Sequence, residues 1–182
     1  DILKGLVNPS GKLPTTFPRR IEDTPAYSSY PGENLQMSYD EKLLIGYKWY
    51  DRKNIEPLFH FGHGLSYTNF EYSNLRISNS DKNNFTCSFD IENVGDVSGF
   101  ETSQCYISFM NSDEDEPIKK LQGFDKTYIN TGEIEKIEIC LDSKSFSTWN
   151  IKTHQWEIKK GIFNILIGSS SNDIRLKDSI NL

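Results

Sequence analysis

The sequence predicts a mainly β protein: a fibronectin-III or immunoglobulin-like antiparallel β-sandwich preceded by an extended arm. Three observations carry this. From about residue 68 onward, short apolar runs of strand length recur between turn signals. Inside those runs apolar and polar residues alternate. The clearest case is Asn84 to Ile91, where Phe85, Cys87, Phe89 and Ile91 interleave with Asn84, Thr86, Ser88 and Asp90. Before residue 68 the chain is rich in Pro, Gly, Tyr and charge and has little periodicity. A connection that long without regular structure suits an arm lying on another surface better than a core.

Taken in order, Asp1 to Gly5 reads as the last turn of a helix with Gly5 as its C-cap, and Leu13 to Phe17 as a short strand. Residues 1–20 are expected to have no core of their own, residues 21–67 to form the arm, and residues 68–182 the sandwich. In the arm, Lys42 to Tyr50 is the one strong apolar run, readable as strand or helix. In the sandwich, Asn93-Val94-Gly95-Asp96 and Asn130-Thr131-Gly132-Glu133 mark turns. Phe100 to Met110 and Lys119 to Tyr128 read as strands, separated by the acidic run Asn111 to Pro117. Ile137, Ile139 and Leu141 alternate in a further strand, and Ile134 breaks their parity. Phe146 to Trp149 and His154 to Ile158 are short pieces. Gly161 to Gly168 reads as a strand buried largely on both faces, and Ile174 to Leu182 as an edge strand.

The chain has 182 residues, 36% hydrophobic and 13% aromatic, which fits one packed domain with extra segments. That cannot hold a (β/α)8 barrel of about 250 residues and a second domain as well. The net charge of −6 argues against nucleic-acid binding and gives no support for anionic membranes. No run reaches the ~18 apolar residues of a membrane span. With no initial Met and no leader pattern, the opening at Asp1 reads as part of a longer protein.

Cys87, Cys105 and Cys140 match no metal-binding spacing and read as small buried residues. An antibody-type pairing of Cys87 with Cys140 lacks the intervening Trp. His60, His63 and His154 form no metal set, and no nucleophile elbow, phosphate loop or dinucleotide fingerprint occurs. No cofactor is therefore expected. Asn84-Phe85-Thr86 is the single glycosylation sequon, and the strand parity turns Asn84 outward.

Two motifs carry a resemblance. Asn8-Pro9-Ser10-Gly11-Lys12-Leu13-Pro14-Thr15-Thr16-Phe17-Pro18 and Pro57-Leu58-Phe59-His60-Phe61-Gly62-His63-Gly64-Leu65-Ser66-Tyr67-Thr68 resemble the C-terminal signature of glycoside hydrolase family 3, the β-glucosidase and β-xylosidase family. Met37 to Asp51, Asn93 to Gly99, Leu121 to Lys126, Gly132-Glu133 and Gly168 to Leu176 are similar to later features of that family, in order. Lys48 stands where Arg is usual, and Thr131 where Pro is usual. The resemblance implies that residues 1–20 end an α/β sandwich domain and that residues 68–182 are fibronectin type III-like. It also implies a retaining enzyme acting on terminal β-linked sugars, secreted or vacuolar/lysosomal, whose nucleophile and acid/base lie upstream of Asn8. Retaining chemistry needs two carboxylates about 5–5.5 Å apart, and no such pair is legible here, so no residue of this chain is expected to be catalytic.

The chain's own acids are weaker candidates. Asp113 to Glu116 read as a solvated charge run, and Glu22, Asp23, Glu33, Asp40 and Glu41 lie in the arm. The expected role is a non-catalytic structural module whose partners are the upstream catalytic domains. An independent carbohydrate-binding module is the alternative. It would need an exposed aromatic platform, whereas the sandwich aromatics mostly alternate inward. An extracellular interaction module is the third reading. Trp49, Tyr50, Tyr27 and Tyr30 read as anchors between domains. Leu43, Leu44, Ile45, Trp49 and Phe59 are expected to be exposed and to promote association.

Overall fold

The computed structural model describes residues 1–34, 36–81 and 84–182, with Ser80 and Asp81 described through their backbone alone. Among the described residues, nine strands and one α-helix follow in chain order: α1 Tyr47–Lys53, β1 Phe70–Asp81, β2 Asn84–Asn93, β3 Gly99–Phe109, β4 Lys120–Ile129, β5 Ile134–Leu141, β6 Ser147–Asn150, β7 Gln155–Ile158, β8 Ile162–Gly168 and β9 Ile174–Asn181. A three-stranded sheet, β1-β2-β5, faces a four-stranded sheet, β4-β3-β8-β9, and all pairings are antiparallel. β6 and β7 form a separate ribbon. This is the sandwich that alternation predicts.

The core lies between the two sheets. Phe85, Cys87, Phe89 and Ile91 of β2 meet Cys105 and Ile107 of β3 and Phe163, Ile165 and Ile167 of β8. Phe146, on a 3₁₀ turn at Ser143–Phe146, closes one end, with its ring 5.3 Å from both Phe85 and Phe163. At the other end Asn93 is fully buried. Its Oδ1 accepts from Thr68 Oγ1 at 2.5 Å and Gly95 N at 3.2 Å, and its Nδ2 donates to Val97 O at 2.9 Å and Ile129 O at 3.0 Å. Those four bonds use the whole capacity of the amide.

The arm forms a third layer. Gln104 and Tyr106 point away from the core on β3, yet both are buried, because Phe61 and α1 cover them. The strand buried on both faces is therefore β3. The expectation that Gly161 to Gly168 would be so buried is corrected: Phe163, Ile165 and Ile167 turn inward while Ile162 is exposed. The difference arises because the outer face of β3 lies under Phe61 and α1.

Other expectations are refined. The Lys42–Tyr50 run contributes turns and then the helix α1, capped by Gly46 before it and by Asn54 after it, the latter in the left-handed region (φ 52°). Leu13 to Phe17 makes one bridge, Phe17 with Phe59, rather than a strand. The opening turn is a 3₁₀ helix, Ile2–Lys4, capped by Gly5 at φ 72°. Cys87 and Cys140 sit on neighbouring strands with Cys87 inward and Cys140 exposed, and all three cysteines are free; Cys140 corrects the expectation of three buried thiols, because odd and even positions of β5 face opposite ways.

Candidate functional site

The two sequence motifs come together at the end of the sandwich where β1 and β9 begin. Leu13 N donates to His63 O at 2.9 Å and Gly62 N to Leu13 O at 2.8 Å. Phe17 N donates to Phe59 O at 2.9 Å and Leu58 N to Phe17 O at 2.8 Å. The prolines flanking this ladder limit the freedom of both segments before they meet. Asn8 ties the pair to its surroundings: its Oδ1 accepts from Tyr67 N at 2.8 Å and Ser66 Oγ at 3.1 Å, and its Nδ2 donates to Ser98 O at 3.3 Å.

Gly62 is where the ladder touches β3. Its φ is 80°, and a Cβ there would lie 2.3 Å from Gln104 Oε1, so only glycine fits. Gln104 Nε2 donates to Ser169 O at 2.8 Å and Gly62 O at 3.4 Å, and its Oε1 accepts from Tyr106 O–H at 2.5 Å. Tyr47, stacked on Phe61 with centroids 4.9 Å apart, accepts from Leu121 N at 2.8 Å. Burial pushes its phenol up to about 12.

The acidic run is solvated at Asp113, Glu114 and Asp115, as expected, and also clamps the arm. Arg52 donates from Nε to Glu116 O at 2.9 Å and from Nη2 to Asp113 O at 2.7 Å. Lys42 reaches Asp115 at 2.6 Å, and Lys119 reaches Asp51 of α1 at 2.6 Å. Glu116 pairs with Lys159 at 2.6 Å. Burial alone would raise the Glu116 carboxyl, but its bonds to Lys159 and to Asp113 N–H outweigh that and hold it below its usual range.

The remaining acids named from the sequence are spread along the arm. Asp23 is buried and accepts from Arg20 Nη2 at 2.9 Å, while Asp40 accepts from Ser38 at 3.0 Å. Glu22 and Glu33 are exposed, the latter in a backbone bridge with Gln36. Glu41 Oε2 and Thr16 Oγ1, both in the N-terminal third, are buried without a hydrogen-bond partner among the described residues. A buried acid outside the predicted set, Glu101, accepts from Lys12 at 3.3 Å and Tyr72 O–H at 2.8 Å. Its neighbours Asp173 and Arg175 pair at 2.8 Å, and the Arg175 bonds hold the Asp173 carboxyl below its usual range. Among the described residues, no three His, Cys, Asp or Glu side chains gather as metal ligands. His60 lies 3.3 Å from Glu56, His63 stacks on Phe59, and His154 sits against Trp149.

What the arm presents outward is apolar. Ile2, Leu13, Phe17, Phe59 and Leu65 line one open cleft, and Leu65 shares the neighbouring polar cleft, of about 290 Å³, with Phe100. Phe17, Phe59, Leu65 and Phe100 are each more than two-fifths exposed. Leu43 and Ile45 are exposed as expected, but Leu44 is buried and Trp49 is half-buried, its indole N–H donating to Asp23 O at 3.1 Å.

Residues 1–67 match the glycosyl hydrolase family 3 C-terminal domain, and residues 101–171 match the fibronectin type III-like domain. The chain is a C-terminal region of glycoside hydrolase family 3. It is 44% identical to thermostable β-glucosidase B of Acetivibrio thermocellus over all of this chain and 24% of that one. The GH3 β-glucosidase of Bifidobacterium adolescentis superposes with a TM-score of 0.95 at 32% identity, over all of this chain and 27% of that one. β-Glucosidase 3B of Thermotoga neapolitana, solved with α-D-glucose, gives 0.91 at 38% identity, over all of this chain and 26% of that one. The chain thus spans about a quarter of the length of the relatives it matches. The residues that stitch the arm to the sandwich, Asn8, Gly62, Tyr47 and Asn93, all lie in motifs legible in the sequence, whereas Gln104, which bonds Gly62, Ser169 and Tyr106, lies in none.

Proposed function

We propose that this chain is a non-catalytic structural module that holds a family-3 β-glucosidase-like enzyme together and supports its hydrolysis of terminal β-linked sugars. In this reading residues 1–20 complete an α/β domain, residues 21–67 are the linking arm, and residues 68–182 are the fibronectin type III-like brace. The carrying observation is the contrast between the two sides of the arm. One side is locked to the sandwich through Asn8, Gly62–Gln104 and the Arg52 clamp. The other offers Phe17, Phe59 and Leu65 to a neighbour. Two buried carboxylates, Asp23 and Glu101, are held by cations or hydroxyls, which supports a structural place for both.

Hydrolysis of an aryl β-glucoside tests the proposal, with this chain alone and then mixed with the upstream domains of a family-3 β-glucosidase. No turnover alone and recovered turnover on mixing is the expected outcome. Turnover by the chain alone, retained after repurification, would sink it.

A further inference from the structure

The β6–β7 ribbon carries two tryptophans that the structural role does not use. Trp149 and Trp156 face each other across the ribbon, with ring centroids 5.7 Å apart and planes at 70°. They are 47% and 52% exposed, and neither joins the core cluster, to which Phe146 and Ile158 anchor the ribbon. The turn is held without them: Asn150 accepts from Lys152 N at 2.9 Å, and Glu157 accepts from Asn150 Nδ2 at 2.8 Å and Thr153 Oγ1 at 2.7 Å. These exposed rings are exceptions to the expectation that the sandwich's aromatics mostly turn inward, which holds for Phe70, Phe85, Phe89, Phe146 and Phe163 in the core and for Tyr72 and Phe109 packed against it.

Trp156 is one wall of a cleft that runs under the ribbon, with Lys120 and Gln122 of β4 as its floor and Asp142, Ser145 and Ser147 along its side. A narrower cleft continues past Lys120 and Ser145 toward Phe109. Lys144 Nζ lies over the Trp156 ring, 4.9 Å from its centroid, so it covers one face of the indole and brings a donor beside the ring. The Lys120 ammonium is half-buried, with no hydrogen bond to the described residues, and desolvation holds its pKa below the usual lysine range. We infer that this cleft binds a β-glucan chain, with a pyranose ring stacked on Trp156 and its hydroxyls bonded to Gln122, Lys120 and Lys144. The chemistry selects that occupant. A pyranose has an apolar C–H face for an indole and a rim of hydroxyls for side chains that both donate and accept. A protein partner fits less well, because lysine, aspartate and serine are depleted at the buried centre of protein interfaces.

The choice of a β-linked chain rests on the proposed function; the site itself does not, and its test has no turnover in it. The indole N–H resonances of the full chain are followed by NMR while cellohexaose or laminarihexaose is added. There are three tryptophans, so each signal is assignable by substitution. Saturable shifts of Trp149 and Trp156, with Trp49 unmoved, are expected. Trp156→Ala should weaken binding about tenfold or more, and Lys120→Ala about threefold; Trp156→Phe, which keeps a ring, should fall between. No shift up to about 10 mM oligosaccharide, or an unchanged affinity in Trp156→Ala with the Trp49 signal in place, would overturn the site. Shifts with maltohexaose alone would overturn the β-linkage and leave the proposed enzyme role to its own assay.

Discussion

Gln104 sits under the arm and bonds Gly62, Ser169 and Tyr106 at once, so removing it strands three buried groups. Each unpaired buried group costs about 1–3 kcal/mol. Gln104→Leu, of similar volume, should therefore lower the unfolding free energy by roughly 2–4 kcal/mol, read from urea denaturation; a change below about 0.5 kcal/mol would show that the arm is not braced there. Glu116 gives a pH signature. Its folded-state pKa lies below the ordinary 4.5, so its stabilisation is present above that value and is lost as pH falls through the lower folded value. Asp173, held by Arg175 below 3.8, extends the loss to more acid pH. The thermal midpoint should fall as pH drops from about 5 to 3, and Lys159→Met should flatten the upper part of that fall. A flat profile in the parent chain would contradict the ion-pair account.

At the scale of elements, legibility tracked how many faces were buried. β2 was readable because its odd residues, Phe85 to Ile91, enter the core while Asn84 and its parity partners stay on the outside. β3 was legible as a strand but its double burial was not, since alternation vanishes when the arm covers Gln104 and Tyr106 on the second face. α1 is seven residues long, too short to form on propensity alone, and its run looked equally like a strand. It exists through tertiary contacts: Tyr47 and Tyr50 are buried one turn apart, and Arg52 grips the acidic loop. Those partners are more than 60 residues away in sequence, which local reading cannot reach. Tyr47→Phe isolates one such link. It leaves Leu121 N–H without its acceptor while keeping the stacked ring on Phe61, and should cost about 1 kcal/mol. Hydrogen exchange should quicken at Leu121 and through α1 and leave β2 and β8 protected. Unchanged exchange at α1 would mean that the helix is held by the Arg52 clamp alone.

At the scale of the whole molecule, the arm converts a two-sheet sandwich into three layers and turns its unused side outward. The exposed side chains there, Phe17, Phe59 and Leu65, are too many and too close to be scattered surface residues, and they border one cleft. The side chains of Leu43 and Ile45 add to the exposed apolar area of the arm. A chain with such a face should self-associate, and light scattering against concentration will read this directly. The same face offers a test that separates docking from folding. Because each of the three is largely free of the core, the triple variant Phe17→Ser, Phe59→Ser and Leu65→Ser should leave the denaturation midpoint of the sandwich nearly unchanged, since exposed substitutions usually fall within about 0.5 kcal/mol each. It should also raise the concentration of this chain needed to restore β-glucosidase turnover to the upstream domains by about tenfold or more, as expected when central apolar anchors of an interface are truncated. If turnover is restored at the original concentration, the docking face lies elsewhere, and the exposed Phe100, Phe124 and Tyr128 on the uncovered part of the four-stranded sheet become the next residues to change.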